Sequence, residues 1–299
     1  MKIIEVDKSK CVRCEECLKE CPLDLFSKSD SGSQNGPIIS FKDEYNACIK
    51  CGHCLAICPT DAVIAEGLKD LDGCWEFEEA KKPSNLIDYM NFLKFIRARR
   101  SIRRFQDKIV PKEKIEKVLE AIRYAPSARN AQNWHFTIIK DKDKIKFFKN
   151  QVMRLFYLLK KILKFKFILK FFVSGYQKKM LTDPKTKYSI NELIKDHENG
   201  VDRIFYDAPC VIVIDYTKND IAGNDCGIAL THGIYAAQAL GLGTCWIGYA
   251  QEAIKRFKKL KKFLEIPKNR KCYGVLILGY PNMEFLRAPP REKLEVDWL

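Results

Sequence analysis

Residues 11–22, CVRCEECLKECP, and residues 48–59, CIKCGHCLAICP, repeat one pattern, Cys-x2-Cys-x2-Cys-x3-Cys-Pro. Cys11, Cys14, Cys17 and Cys21 stand in the first copy, and Cys48, Cys51, Cys54 and Cys58 in the second. Eight of the 13 cysteines thus fall within the first 58 residues. A disulfide framework belongs to small exported domains, and the opening residues MKIIEVDKSKC lack the apolar core of a signal peptide. The eight therefore read as metal ligands.

Working outward, the chain has 299 residues, enough for two domains at roughly 100–200 residues each. It is 46% hydrophobic and 30% charged, and no apolar run reaches the ~20 residues of a membrane span. The net charge of +15 suggests a nucleic-acid partner until it is split by position. Residues 1–80 carry 9 basic and 16 acidic side chains, whereas residues 81–299 carry 44 and 22. An acidic segment is joined to a basic one, and a single basic surface is excluded.

The polar stretch Ser27 to Pro37 cannot pack a core and reads as a surface loop, and Asp70 to Asn85 shows neither period. The expected division is a cysteine-rich domain over 1–69, a linker over 70–90 and a larger domain over 91–299. In the larger domain, Ile115, Val118, Leu119 and Ile122 share a helix face within Lys112 to Tyr124. His135 to Ile139, Cys210 to Tyr216 and Cys272 to Leu278 read as strands. Ile228 to Leu240 reads as a buried helix and Ala253 to Leu264 as a basic amphipathic one. Irregular mixing of the two element types predicts an α+β fold.

The doubled cysteine pattern, with CGHCLAICPTDAV in its second copy, resembles bacterial two-cluster ferredoxins over residues 1 to about 68. That resemblance implies one [4Fe–4S] cluster on Cys11, Cys14, Cys17 and Cys58 and another on Cys48, Cys51, Cys54 and Cys21. Structural zinc is the rival, but zinc sites pair two CxxC units and leave the longer pattern unexplained. His53, in a cysteine spacer, is expected to face solvent.

Three further segments resemble, in order, the signatures of the nitroreductase family of FMN proteins: Arg99-Arg100-Ser101-Ile102-Arg103, Ala125-Pro126-Ser127-Ala128-Arg129-Asn130-Ala131-Gln132-Asn133-Trp134, and Gly241-Leu242-Gly243-Thr244-Cys245-Trp246-Ile247-Gly248. The resemblance implies a nitroreductase-like α+β domain of sheet and helices. Arg99 and Ser101 would hold the FMN phosphate, with Arg100 beside them, and Arg103 would face the flavin pyrimidine, where charge collects on reduction. Pro126, Ser127 and Asn130 match the loop at the ring edge, Ile247 and Gly248 the turn whose amide faces flavin N5, and Arg291 a last phosphate ligand. Asn133 departs from the family's usual proline. Taken alone, five arginines between Arg97 and Arg104 would read as a solvated basic face.

Cys74, Cys210, Cys226, Cys245 and Cys272 read as buried small hydrophobes, with Cys245 close enough to the expected N5 contact to modulate the flavin. His135 reads as a strand start, His232 as a buried helix residue and His197 as a surface one. Val152 to Val173 mixes aromatics with Arg154, Lys160, Lys161, Lys164, Lys166 and Lys170 and reads as a broken lid over the flavin.

The expected activity passes electrons from two [4Fe–4S] clusters to FMN and on to a small organic acceptor, such as a nitro compound, quinone or activated alkene. Two alternatives stand beside it. NAD(P)H could feed FMN and the clusters export electrons to a carrier, or the chain could be a non-catalytic relay or redox-sensing subunit. A homodimer in an anaerobic cytoplasm is expected, with an external ferredoxin or NAD(P)H as donor and no nucleic acid or membrane span. No catalytic acid or base is assigned.

Overall fold

The computed structural model describes residues 2–29, 37–67, 82–165, 167, 174–218 and 222–299. The tip of the polar loop, most of the expected linker with Cys74, and Lys166, Lys170 and their neighbours lie outside the described residues. The chain divides into two units, Met1–Asp88 with Ser127–Ala131, and Tyr89–Pro126 with Gln132–Leu299.

In the first unit the cysteine repeat is also a structural one. Strand β1 (Lys2–Val6), helix α1 (Glu16–Glu20) and strand β2 (Phe26–Ser29) are followed by β3 (Ile38–Phe41), α2 (His53–Ile57) and β4 (Val63–Glu66). Antiparallel ladders join β1 to β4, with Val6 opposite Val63, and β2 to β3, with Phe26 opposite Phe41. Each ladder takes one strand from each half. The core is small, with Ile3, Val6, Phe26, Ile39, Cys54, Ala62 and Val63 buried and five more of the motif cysteines packed against them. A domain of this size leans on bound groups for stability.

The second unit is built on four antiparallel strands in the order β5-β6-β8-β7: β5 (Trp134–Ile139), β6 (Cys210–Thr217), β7 (Gly243–Trp246) and β8 (Arg270–Gly279). Around the sheet run α3 (Tyr89–Ala98), α4 (Lys112–Arg123), α5 (Lys142–Lys164), α6 (Gly175–Thr182), α7 (Pro184–Glu198), α8 (Ala222–Ala239), α9 (Gly248–Arg256) and α10 (Lys258–Phe263). Alternate residues of β6 serve two cores. Val211 and Val213 pack with residues of α5, α7, α9 and α10, while Cys210, Ile212 and Ile214 pack with α4 and α8. The mixed helix and strand content matches the expected α+β class.

Several expectations change in detail. The basic helix of Ala253 to Leu264 is two helices meeting at Phe257, whose extended backbone (φ −102°, ψ 110°) breaks the run. The buried helix begins at Ala222 rather than Ile228, and His232 on it is exposed, its Nδ1 3.0 Å from the Ile228 carbonyl. The lid reading fails for residues 152–164, which continue α5. Asp141 caps that helix by accepting from the Lys144 amide at 2.8 Å, and Ile145, Phe148, Val152, Leu155 and Phe156 form its buried stripe. The stripe begins at Ile145, ahead of Val152, so residues 152–164 alone show only its second half among the lysines.

Candidate functional site

In the first unit, the two thiol sets expected from the sequence gather at separate hollows. Cys11, Cys14, Cys17 and Cys58 line one, with Val6, Ile39 and Ala62. Cys21, Cys48, Cys51 and Cys54 line the other, with Phe26 and Phe41. Cys17 interacts electrostatically with Cys11, Cys14 and Cys58, and Cys54 with Cys51, Cys21 and Cys48. Each set crosses between the two motifs.

The loops are shaped alike. Arg13 and Glu15 have φ of 60° and 63°, and the equivalent Lys50 and Gly52 have 57° and 80°. Left-handed residues alternating with ordinary ones turn successive N–H groups into a concavity that receives anions and iron–sulfur groups. The four thiols of each set line a hollow, an arrangement that suits a multi-atom cluster. Burial first, then the neighbouring Cys51, pushes the Cys54 thiol up to about 11. Such a thiol ionises readily only with a cation beside it. His53 pairs with Glu20 at 3.0 Å, its side chain 60% exposed, in keeping with the expected solvent-facing role.

In the second unit, the first and third family-like segments are spliced together. Ser101 bridges Thr244 in parallel pairing, and the Ile102 amide donates to the Thr244 carbonyl at 2.9 Å. Gly243 makes this approach possible, because a Cβ there would lie 2.5 Å from Ile102 Cγ1. Neither Arg99 nor Arg103 forms a salt bridge with a carboxylate among the described residues, so both guanidinium groups keep their capacity for an anion. Arg100 is more engaged: it donates to the carbonyls of Arg97 at 2.7 Å and Arg287 at 2.8 Å and lies over the Phe285 ring. It ties down the segment near the C-terminus.

Ile247 donates its amide to the Val275 carbonyl at 2.8 Å. Gly248, the first residue of α9, is left as the amide without an intrahelical acceptor, and a Cβ there would meet nothing within 4 Å. This open, donor-lined spot fits the edge of a flat cofactor. Pro126 is exposed at the end of the second unit's first segment. Ser127 and Asn130 group with the first unit, where Asn130 Nδ2 donates to the Lys50 carbonyl at 2.6 Å. Arg129 and Asn130, with φ of 53° and 48°, hold a left-handed backbone, and for arginine that is uncommon. Arg291 lies in the exposed C-terminal segment.

Two features escaped the sequence reading. Asp215, fully buried, accepts from Arg270 Nε and lies 3.0 Å from His135 Nδ1, while Arg270 also donates to the carbonyls of Asp215 at 2.8 Å and Asn133 at 3.0 Å. The cluster fastens β5, β6 and β8 and the residue before Trp134. A lone acid in the apolar run CVIVIDYT was the available signal. Tyr206 and Asp207 both have left-handed φ, 55° and 53°, in a turn held by Asp202, which accepts from the Ile204 and Phe205 amides at 2.9 Å each. Burial pushes the Tyr206 phenol up, with the charge of Arg103 pulling the other way. Cys210, Cys226, Cys245 and Cys272 are buried, as expected.

Comparisons with known proteins find two family matches along the chain. Residues 96–280 match the nitroreductase family model, and residues 9–63 match a 4Fe-4S dicluster domain. A protein of Archaeoglobus fulgidus carrying the name "Putative NADH dehydrogenase/NAD(P)H nitroreductase" is 30% identical over 193 residues, 64% of this chain and 86% of its own. One of the same name from Methanothermobacter thermautotrophicus is 28% identical over 201 residues, 65% of this chain and 80% of its own. The crystal structure of a nitroreductase with bound FMN from Desulfitobacterium hafniense superposes with a TM-score of 0.51 at 23% identity, over 69% of this chain and 97% of that one. The splice of Ser101 to Thr244, the donor set around it and the family match over most of the second unit lead to one assignment: the chain belongs to the nitroreductase family, with a 4Fe-4S dicluster domain preceding the family's own.

Proposed function

We propose that this protein is an iron–sulfur FMN oxidoreductase that carries electrons from two [4Fe–4S] clusters through FMN to a small organic acceptor, such as a nitro compound, a quinone or an activated alkene. One observation carries the flavin half: the bridge of Ser101 to Thr244, which joins the segment bearing Arg99 and Arg103 to the strand leading to the Gly248 amide. Arg99 and Ser101 would bind the phosphate with charge-assisted donors. Arg103 would sit against the pyrimidine and favour the reduced, more negative ring. The Gly248 amide would orient the ring at N5. Pro126, Ser127, Asn130 and Arg291 are retained as proposed FMN contacts on the strength of the motif. FMN, when bound, supplies exchange between one-electron and two-electron transfer.

The names carried by the two archaeal relatives favour a second reading, in which NAD(P)H is the donor and the clusters export electrons. Anaerobic rapid mixing with reduced ferredoxin, NADH or NADPH separates the two when flavin and cluster absorbance are followed individually. Cluster reduction preceding flavin reduction supports the proposed direction. Flavin bleaching by NAD(P)H alone, with the clusters lagging, reverses it.

We also propose a homodimer. Leu286, Leu294, Trp298 and Leu299 near the C-terminus are about nine-tenths exposed or more, and β5 stands at the sheet edge. An exposed apolar tail and a strand edge are complementary in kind. Among the described residues no helix is long and apolar enough to cross a membrane, and oxygen-labile clusters suit an anaerobic cytoplasm.

A further inference from the structure

The two cysteine motifs of the cluster domain repeat position for position, so their differences are informative. Cys21-Pro22-Leu23-Asp24 in the first motif corresponds to Cys58-Pro59-Thr60-Asp61 in the second, and Asp24 and Asp61 share a φ of 51° and 50°. At the third position leucine in the first motif corresponds to threonine in the second. Thr60 Oγ1 lies 3.9 Å from Cys58 Sγ, within reach of an O–H···S hydrogen bond, and the Ala62 amide donates to the same sulfur at 3.2 Å. The backbone N–H groups of Thr60 and Val63 also face it. Among the described residues Cys21 Sγ receives no such hydroxyl, Leu23 having none. The set containing Cys21 has weaker support, the Lys50 amide to Cys48 Sγ at 3.4 Å and the Leu55 amide toward Cys54.

Solvent divides the sets in the same sense. Cys14 is exposed in the first set, whereas Cys54 is buried in the second; both hollows are lined largely by apolar side chains, Val6, Ile39 and Val63 in the first and Leu23, Phe26 and Phe41 in the second. Reduction adds a negative charge to a cluster. Donors to sulfur and access to water stabilise that charge, and an apolar lining does not. Nearby side-chain charges are mixed: Glu20 lines the second hollow, which Lys50 flanks, while Glu15 and Glu16 flank the first set and oppose this order. Those acids are paired, Glu15 with Lys28 and Glu16 with Lys19 at 2.7 Å each, and both partners in each pair are exposed enough for water to screen them. Bonds made directly to the ligating sulfur outweigh them.

We propose that the cluster held by Cys11, Cys14, Cys17 and Cys58 has the higher reduction potential, that Thr60 sets part of the difference through Cys58, and that the first electron entering the domain settles there. The cluster held by Cys21, Cys48, Cys51 and Cys54 is then the stronger reductant. Thr60 is a positioning residue acting through a ligand. The inference rests on the dicluster assignment alone and is independent of the direction of electron flow.

The test is an anaerobic redox titration of the full-length holoprotein followed by electron paramagnetic resonance, on the parent, Thr60→Val, Thr60→Ser and Leu23→Thr. Two waves are expected. Thr60→Val keeps the shape and loses the donor, so the upper wave alone falls, by about threefold in electron sharing or roughly 30 mV at 59 mV per decade. Thr60→Ser restores the parent value, and Leu23→Thr raises the lower wave. A single wave in the parent, or a Thr60→Val shift absent from the upper wave or present in the lower, overturns the proposal. Should Thr60→Val fail to assemble, Thr60→Ser and Leu23→Thr carry the same comparison. Iron is measured throughout: roughly eight atoms per chain upholds the dicluster assignment, so a failed ordering is distinguishable from a failed assignment, and fewer in the parent removes both.

Discussion

Substituting Gly243 by alanine tests whether the splice of the two motif segments holds the FMN site. The added Cβ would lie 2.5, 2.8 and 2.9 Å from Ile102 Cγ1, Cβ and Cγ2. Comfortable carbon contact begins at about 3.5 Å, so β7 and residues 101–103 must part by about 1 Å. The Ile102 amide then loses its bond to Thr244, worth about 1 kcal/mol, and overpacking adds about 1–3 kcal/mol. If about a third to a half of that strain falls on residues 101–103, FMN affinity drops by about tenfold. The assay pairs thermal melting of the anaerobic holoprotein with FMN binding followed by flavin fluorescence. Gly241→Ala is the control. It incurs the left-handed backbone cost at φ 72° but meets nothing within 4 Å, so it should lower stability by about 1 kcal/mol and leave FMN affinity intact. A Gly243→Ala protein with parental melting and FMN affinity would refute the reasoning.

Further outcomes follow from the same geometry. Arg103→Gln should lower the two-electron potential of bound FMN while iron content stays at the parental level; spectroelectrochemistry showing an unchanged or raised potential would remove Arg103 from the pyrimidine. Asp215→Ala strands Arg270, 18% exposed, beside a fully buried vacancy and should destabilise the second unit by about 3–5 kcal/mol; denaturant titration giving under about 1 kcal/mol would mean the cluster is not held by that charge. Burial pushes Cys210, Cys226 and Cys272 up to about 12, so at pH 8 only about one thiol in ten thousand is ionised. Iodoacetamide labelling read by mass spectrometry should miss all three in the native protein and mark them after unfolding.

What the sequence revealed depended on how locally each feature is encoded. The cysteine motifs were legible because four residues at fixed short spacings recur around each loop, and the ferredoxin resemblance implied the crossed sets that line the two hollows. Strands such as Cys210 to Thr217 announced themselves as short apolar runs between breakers. Gly243 to Trp246 did not, because four residues are too few to show a period. The break at Phe257 was invisible because its neighbours on both sides keep helical spacing. Asp215, Arg270 and His135 are brought together by β5, β6 and β8, which are 55 or more residues apart in the chain, so no local pattern could join them. The sequence placed Arg100 among the FMN ligands, and only the tertiary course of the C-terminal segment revealed Arg287 as its acceptor.

The central claim, electron passage between the clusters and a small acceptor through FMN, is tested most directly by mixing fully reduced protein with a quinone under anaerobic conditions, once as holoprotein and once after FMN removal with the clusters intact. The account predicts that the clusters reoxidise promptly in the holoprotein and stay reduced without FMN. Equal cluster reoxidation in both, or flavin reoxidation that leaves the clusters reduced, would contradict it.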